Sequence, residues 1–173
     1  MSACGCNKRP IIDAVGKSVK NYYEIITPYS GGATTSGKTI AAGPIEIEDA
    51  FEMCNGSGVI RSASVKEFGT TQELDFDIIF VGNNGYTILT NTTTAFDATI
   101  AVDNKLQDAI EVTTYTDKGQ YREAKPTFAP LTVFNASTTE TEKRKLWYYL
   151  VARGAVTYTG STRLAVSLAI END

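Results

Sequence analysis

Leu146-Trp-Tyr-Tyr-Leu-Val-Ala-Arg153, followed by Arg163-Leu-Ala-Val-Ser-Leu-Ala-Ile170, is the stretch that decides the fold. The first run is apolar at consecutive positions, as a strand covered on both faces inside a sheet must be. In the second, Leu164, Val166, Leu168 and Ile170 share one face, with Arg163, Ser167 and Glu171 opposite. That is the period of two of a strand with one covered face. Between the runs, Arg153-Gly154-Ala155 reads as a bend or bulge, and Tyr158-Thr-Gly-Ser-Thr162 as a turn.

The same pattern extends toward the N-terminus. Tyr22-Tyr-Glu-Ile-Ile26 is aromatic and β-branched, and Pro28 stops it. Ser30 to Lys38 is a Gly/Ser/Thr loop. Ile45-Glu-Ile-Glu48 alternates, and Asn55-Gly-Ser-Gly58 makes a turn. From Val59 to Phe68, alternation places Val59, Ala63 and Val65 on one face and Ile60, Ser62, Ser64 and Lys66 on the other. Leu74, Phe76, Ile78 and Phe80 share a face, with Asp75 and Asp77 opposite. Asn83-Asn84-Gly85 turns the chain before Tyr86 to Leu89, a short strand or loop. Val102 to Val112 is the one helical candidate, with Asp103 as its cap and Leu106 and Ile110 at i and i+4. The expectation is an all-β, antiparallel β-sandwich or jelly roll with at most one short helix. An extended arm over residues 1–18, containing Gly5, Pro10 and Gly16, precedes a single domain over 19–173. The order in which the strands pair does not follow from these patterns.

The 173 residues suit one domain able to bury a core without disulfides. Net charge is -4, and the densest basic runs are Lys8-Arg9 and Lys143-Arg144-Lys145. Both read as solvated surface, so nucleic acid is not an expected partner. The chain contains no histidine. That excludes Ser-His-Asp and Cys-His nucleophile systems and His-based metal sites. The three cysteines, Cys4, Cys6 and Cys54, fall short of a closed four-ligand zinc site and form no disulfide framework. Cys4 and Cys6 read as reduced thiols in a tail, which fits a protein made in a reducing cytoplasm. No stretch approaches a membrane span, and the first ten residues lack the apolar middle of a signal peptide, so no membrane partner is expected. Asn55, Asn91 and Asn135 match the glycosylation pattern and read as turn residues.

One motif points elsewhere. Gly32-Ala-Thr-Thr-Ser-Gly37-Lys38-Thr39 matches the phosphate-loop pattern in full, and Asp103 after Thr99 to Val102 could serve as a second acidic element. A working loop needs a helix after it, whose free N–H groups meet the phosphates. Gly43-Pro44 arrives within about one turn, and Pro inside a helix costs roughly 3 kcal/mol. Ile45 to Glu48 then has strand periodicity. Gly32, Gly37, Lys38 and Thr39 therefore read as a chance match, and no cofactor is expected. The pairs Asp75/Asp77 and Glu46/Glu48 could hold calcium or act as acid and base, but alternation alone also produces them. Of Trp147, Tyr148 and Tyr149, the tryptophan reads as core and at least one tyrosine as available to an interface.

The run Asn55-Gly-Ser-Gly-Val-Ile-Arg-Ser-Ala-Ser-Val65, the strand Leu74 to Phe80, the acidic Asp103 region and the ending from Leu146 to Ile170 together resemble a family of small virion proteins of tailed bacteriophages. In the ending the matching positions are Leu150, Val151, Arg153, Gly154, Thr157, Tyr158, Leu164, Val166, Leu168 and Ile170. The resemblance covers roughly residues 40–173. It implies a non-enzymatic capsid decoration (cement) protein of β-sandwich fold, made in the host bacterial cytoplasm. Such a protein binds the major capsid protein on the capsid exterior, as a homo-oligomer with a trimer favoured. Lys8, Arg9 and Tyr148 are then the candidates for capsid or subunit contact. The rival readings are a neck, tail or head-fibre component, a carbohydrate-binding attachment module, and an ATPase using Lys38.

Overall fold

The computed structural model describes residues 18–30, 33–69, 75–82 and 106–172. Its strands are β1 (Val19–Ile26), β2 (Ala33–Thr34), β3 (Ile45–Ile47), β4 (Ser57–Phe68), β5 (Phe76–Val81), β6 (Leu106–Val112), β7 (Tyr115–Asp117), β8 (Arg122–Ala124), β9 (Leu131–Phe134), β10 (Leu146–Ala152), β11 (Val156–Thr157) and β12 (Arg163–Asn172). Among the described residues a single 3-10 turn covers Glu140–Glu142. The expected all-β antiparallel class is what the chain adopts.

Two sheets carry the fold. One runs β1-β12-β4-β8-β7, with β9 also on β4; the other runs β3-β10-β5-β6. Set aside the short pair β2/β11 and treat β7 to β9 as one arm. The first strand then pairs with the last, β1 with β12, and the second with the last but one, β3 with β10. Next inward, β4 pairs with β8 and β9, and innermost, β5 pairs with β6. This is a long antiparallel hairpin rolled up on itself. The roll is closed by β12 against β4 and β10 against β5. Strands nested in this way form a jelly roll.

One core fills the space between the sheets, with Ile60, Val65, Leu164, Val166, Leu168 and Ile170 from one side and Phe76, Ile78, Phe80, Leu146, Tyr148 and Leu150 from the other. All seven residues of β10 are buried. Its even-numbered residues enter the main core, while Trp147, Tyr149 and Val151 form a second cluster with Val81 on the opposite face. Gly43 packs on that face: a Cβ there would lie 2.9 Å from Cδ1 of Tyr149. Residues 38–40 extend β3 along β10 through a Thr39–Val151 bridge, and the cis Gly43–Pro44 bond lies between the two paired stretches.

Two expectations need correction. The helical candidate at Val102 to Val112 is a strand where it is described. Leu106, Ile110 and Val112 also fit a period of two, and pairing with β5 buries Ile110 and Val112 completely. The local i, i+4 signal was too short to compete with a sheet edge awaiting a partner. In β4, Ile60 was expected opposite Ala63 and Val65, yet all three are buried. The cause is a bulge. Ala169 pairs with Ser62 and the next residue, Ile170, pairs with Ile60, leaving Arg61 as the extra residue. One extra residue inverts the alternation. Arg61 itself is exposed and its guanidinium grips Glu171 on β12 through two contacts, 2.7 and 3.1 Å. Residues 1–17, Leu74, the 83–85 turn and the Tyr86 to Leu89 segment lie outside the described residues.

Substitution and deletion at the bulge separate its two roles. Arg61→Ala removes a partly exposed ion pair at the sheet surface and should lower stability by about 1 kcal/mol. Deleting Arg61 forces either Ile60 or the Ala63–Val65 set out of the core. It should cost at least as much as Leu150→Ala, for which about 2–5 kcal/mol is expected from the size of the deleted side chain. Equilibrium denaturation of the three variants measures the contrast; equal effects of Arg61→Ala and the deletion would remove the bulge from the account.

Candidate functional site

The phosphate-loop match comes first, because it names a specific chemistry. Gly32 lies outside the described residues. Gly37 turns the chain at a φ of +81°, a conformation open to glycine. Its N–H donates to the Ala152 carbonyl at 2.7 Å, the Lys38 N–H to Thr35 at 3.2 Å, and the Ile40 N–H to Leu150 at 2.9 Å. In return the Ala152 N–H donates to the Lys38 carbonyl at 2.8 Å. The segment is thus laid along β10 as sheet, and Thr39 and Ile40 are fully buried. The N–H groups a phosphate would need are spent on carbonyls, and the chain continues into β3 rather than a helix. Titration calorimetry with magnesium-ATP should accordingly give no binding heat. A measurable affinity that Lys38→Ala abolishes would restore the nucleotide reading.

Of the contact candidates, Lys8 and Arg9 lie outside the described residues, and Tyr148 requires correction. It is fully buried. Its ring meets Tyr22 edge-on, with centroids 6.1 Å apart, and Phe80 at a tilt. Its hydroxyl is 3.5 Å from that of Tyr22. Burial pushes the Tyr148 phenol well above its ordinary range. Burial also raises Tyr22 to about 12; the hydrogen bond with Tyr148 opposes that rise and the Glu24 charge adds to it. Tyr148 is therefore a core residue tying β10 to β1. Tyr149, the other tyrosine considered for an interface, is also buried. Both follow from the place of β10 inside its sheet, which leaves neither face to solvent.

One carboxylate of each pair, Glu46 and Asp77, is held by a partner within the fold. Glu46 accepts from Lys145 at 2.7 Å and from the Trp147 indole N–H at 3.3 Å. The hydrogen bond to Glu46 is the main cause of the raised Lys145 pKa. Asp77 and Glu111 receive the Arg153 guanidinium at 2.9 and 2.7 Å, strapping β5 and β6 to the bend after β10. Among the described residues no group of three acidic or cysteine side chains is placed to hold a metal. Cys54 is disulfide-bonded, which corrects the expectation that the cysteines form no disulfide. Cys4 and Cys6, the other cysteines of the chain, lie outside the described residues. Asn135 is buried, its amide donating to the Glu142 and Lys145 carbonyls at 2.6 Å each, so the side chain organises a loop.

The surface feature that sequence reasoning missed is β1. Val19, Tyr23 and Ile25 are 52%, 57% and 56% exposed, on a strand at the end of its sheet. Alternate residues point inward, Tyr22 to Tyr148 and Ile26 into the core. The doublets Tyr22-Tyr23 and Ile25-Ile26 carried the signal, because consecutive apolar residues on an edge strand must leave one of each pair facing out.

No family model matches the chain, and no curated protein does. Among solved structures it is similar to Desmodium yellow mottle tymovirus at 14% identity and TM-score 0.29, over 92% of this chain and 83% of that one. It is also similar to mud crab tombus-like virus at 7% identity and TM-score 0.31, over 96% and 95% of the two chains. Mud crab dicistrovirus gives 8% identity and TM-score 0.31, over 89% and 68%. Identities and TM-scores this low identify no family, and the jelly-roll assignment stands on the strand pairing alone.

Proposed function

We propose that this chain is a non-enzymatic virion structural protein that binds the outside of an assembled tailed-phage capsid and stabilises it. The observation that carries the reading is the jelly-roll nesting of the strands, an architecture used by viral capsid and lectin domains and by cupins. Fold alone does not assign function. Three features of this chain favour the virion reading over the others. The positions through which the ending resembles phage decoration proteins are largely those that build the roll: Leu150, Val151, Leu164, Val166, Leu168 and Ile170 are buried. Arg153 straps two neighbouring strands. The chain has no histidine to supply the commonest metal ligand.

A decoration protein makes contacts that exist only on the finished shell, and so stabilises that state by mass action. Modest contacts suffice when several are made together, because each raises the effective concentration of the next. Purified protein added to expanded capsids that lack it should co-sediment with them and raise the temperature at which the shells break. The same shells before expansion should bind it weakly. Absence of binding to expanded shells would contradict the proposal.

A further inference from the structure

The edge strand β1 has the register and charge pattern to pair with itself. The Ser18 carbonyl accepts from the Asn172 N–H at 2.9 Å, and this fixes the phase of the β1/β12 ladder. In an antiparallel ladder the residues that bond the neighbour alternate with residues whose N–H and C=O point away. Lys20, Tyr22, Glu24 and Ile26 therefore bond β12, and Val19, Asn21, Tyr23 and Ile25 present their N–H and C=O groups outward. Among the described residues no strand takes them up, since β1 ends its sheet. The edge is eight residues long, without Pro and with a regular register to β12. Native proteins usually blunt such an edge with charge, bulges or Pro. Here the side chains beside the open groups are instead Val19, Tyr23 and Ile25, all more than half exposed.

We infer that the occupant of this edge is β1 of a second copy of the chain, related by a two-fold axis through Tyr22. Only registers that match outward groups with outward groups are available to an added strand. Among the symmetric ones, the register centred on Tyr22 sets Lys20 opposite Glu24 of the other copy, twice. It also sets Val19 opposite Ile25, and Asn21 opposite Tyr23. Every outward N–H and C=O from Val19 to Ile25 then finds a partner. Centring on Asn21 would place Lys20 against Tyr22, and centring on Tyr23 would place Lys20 against Ile26; both lose the charge pairing. Lys20 and Glu24 occupy non-hydrogen-bonded positions of the new ladder, where facing side chains approach most closely. The Lys20 ammonium already donates to the Asp49 carbonyl at 2.6 Å, which holds the side chain at this flank of the roll with donors to spare. The contact is isologous and closes at two copies, whereas the resemblance to decoration proteins implied three. It stands independently of the capsid reading.

Sedimentation equilibrium of the purified full chain tests this, with circular dichroism to establish that each variant is folded. The wild type should be a dimer. Lys20→Glu and Glu24→Lys each put like charges opposite one another twice, and each should raise the dimer dissociation constant about tenfold. The double variant Lys20→Glu/Glu24→Lys restores opposite charges and should recover wild-type affinity. Tyr23→Pro, which removes an outward N–H without touching the β12 ladder, should give a folded monomer. A wild type that is monomeric at the highest soluble concentration would overturn the inference. So would an oligomer indifferent to the charge substitutions and to Tyr23→Pro.

Discussion

The burial of β10 on both faces is the constraint from which the rest of the molecule follows. A strand whose seven residues are all buried needs a neighbour on each edge and a covering layer on each face. β5 supplies one edge; β3 and the segment at 38–40 supply the other. The second sheet covers one face, and Gly43 lies against Tyr149 on the opposite one. The stretch that matches a phosphate loop is therefore committed to sheet. Its N–H groups complete the β10 ladder, and burial of Thr39 and Ile40 is part of the same arrangement. The aromatic trio, of which at least one tyrosine reads from sequence as available to an interface, is core for the same reason.

Rolling the chain as a nested hairpin places the first strand beside the last. β12 is then interior, held between β1 and β4, and its alternation of apolar and polar residues matches a sheet with one face on the core. The nesting leaves β1 at the end of its sheet. Val19, Tyr23 and Ile25, the apolar side chains it turns outward, are each more than half exposed. One twist of register, the extra residue at Arg61, lets a twelve-residue β4 contribute Ile60 at one end and Ala63 and Val65 at the other to the same core.

Much of this was legible in the sequence. The period-two faces of β5 and β12 and the doubly apolar β10 follow directly from residue spacing, and so does the all-β class. The pairing order was not legible, because which strands become neighbours is set by long-range closure rather than by any local pattern. Single-residue effects escaped as well: nothing in Val59 to Phe68 announces that Arg61 will be bulged, and a slip of one position exchanges the two faces. The helical reading of Val102 to Val112 fails because Leu106 and Ile110 fit both periods, and tertiary pairing decides between them. Tyr148 was placed at a surface because tyrosine tolerates one, while its strand's central position, visible in the flanking apolar residues, argued against it.

A jelly roll with an apolar edge strand, and with residues 37–40 of the phosphate-loop match laid along β10, is a structure suited to making contacts. We propose that these contacts are made on a phage capsid lattice. Quantitative mass spectrometry of purified virions, counting this chain against the major capsid protein, tests it most directly. Lattice binding requires a copy number that is a simple fraction of the capsid protein count. A handful of copies per particle, or none, would contradict it.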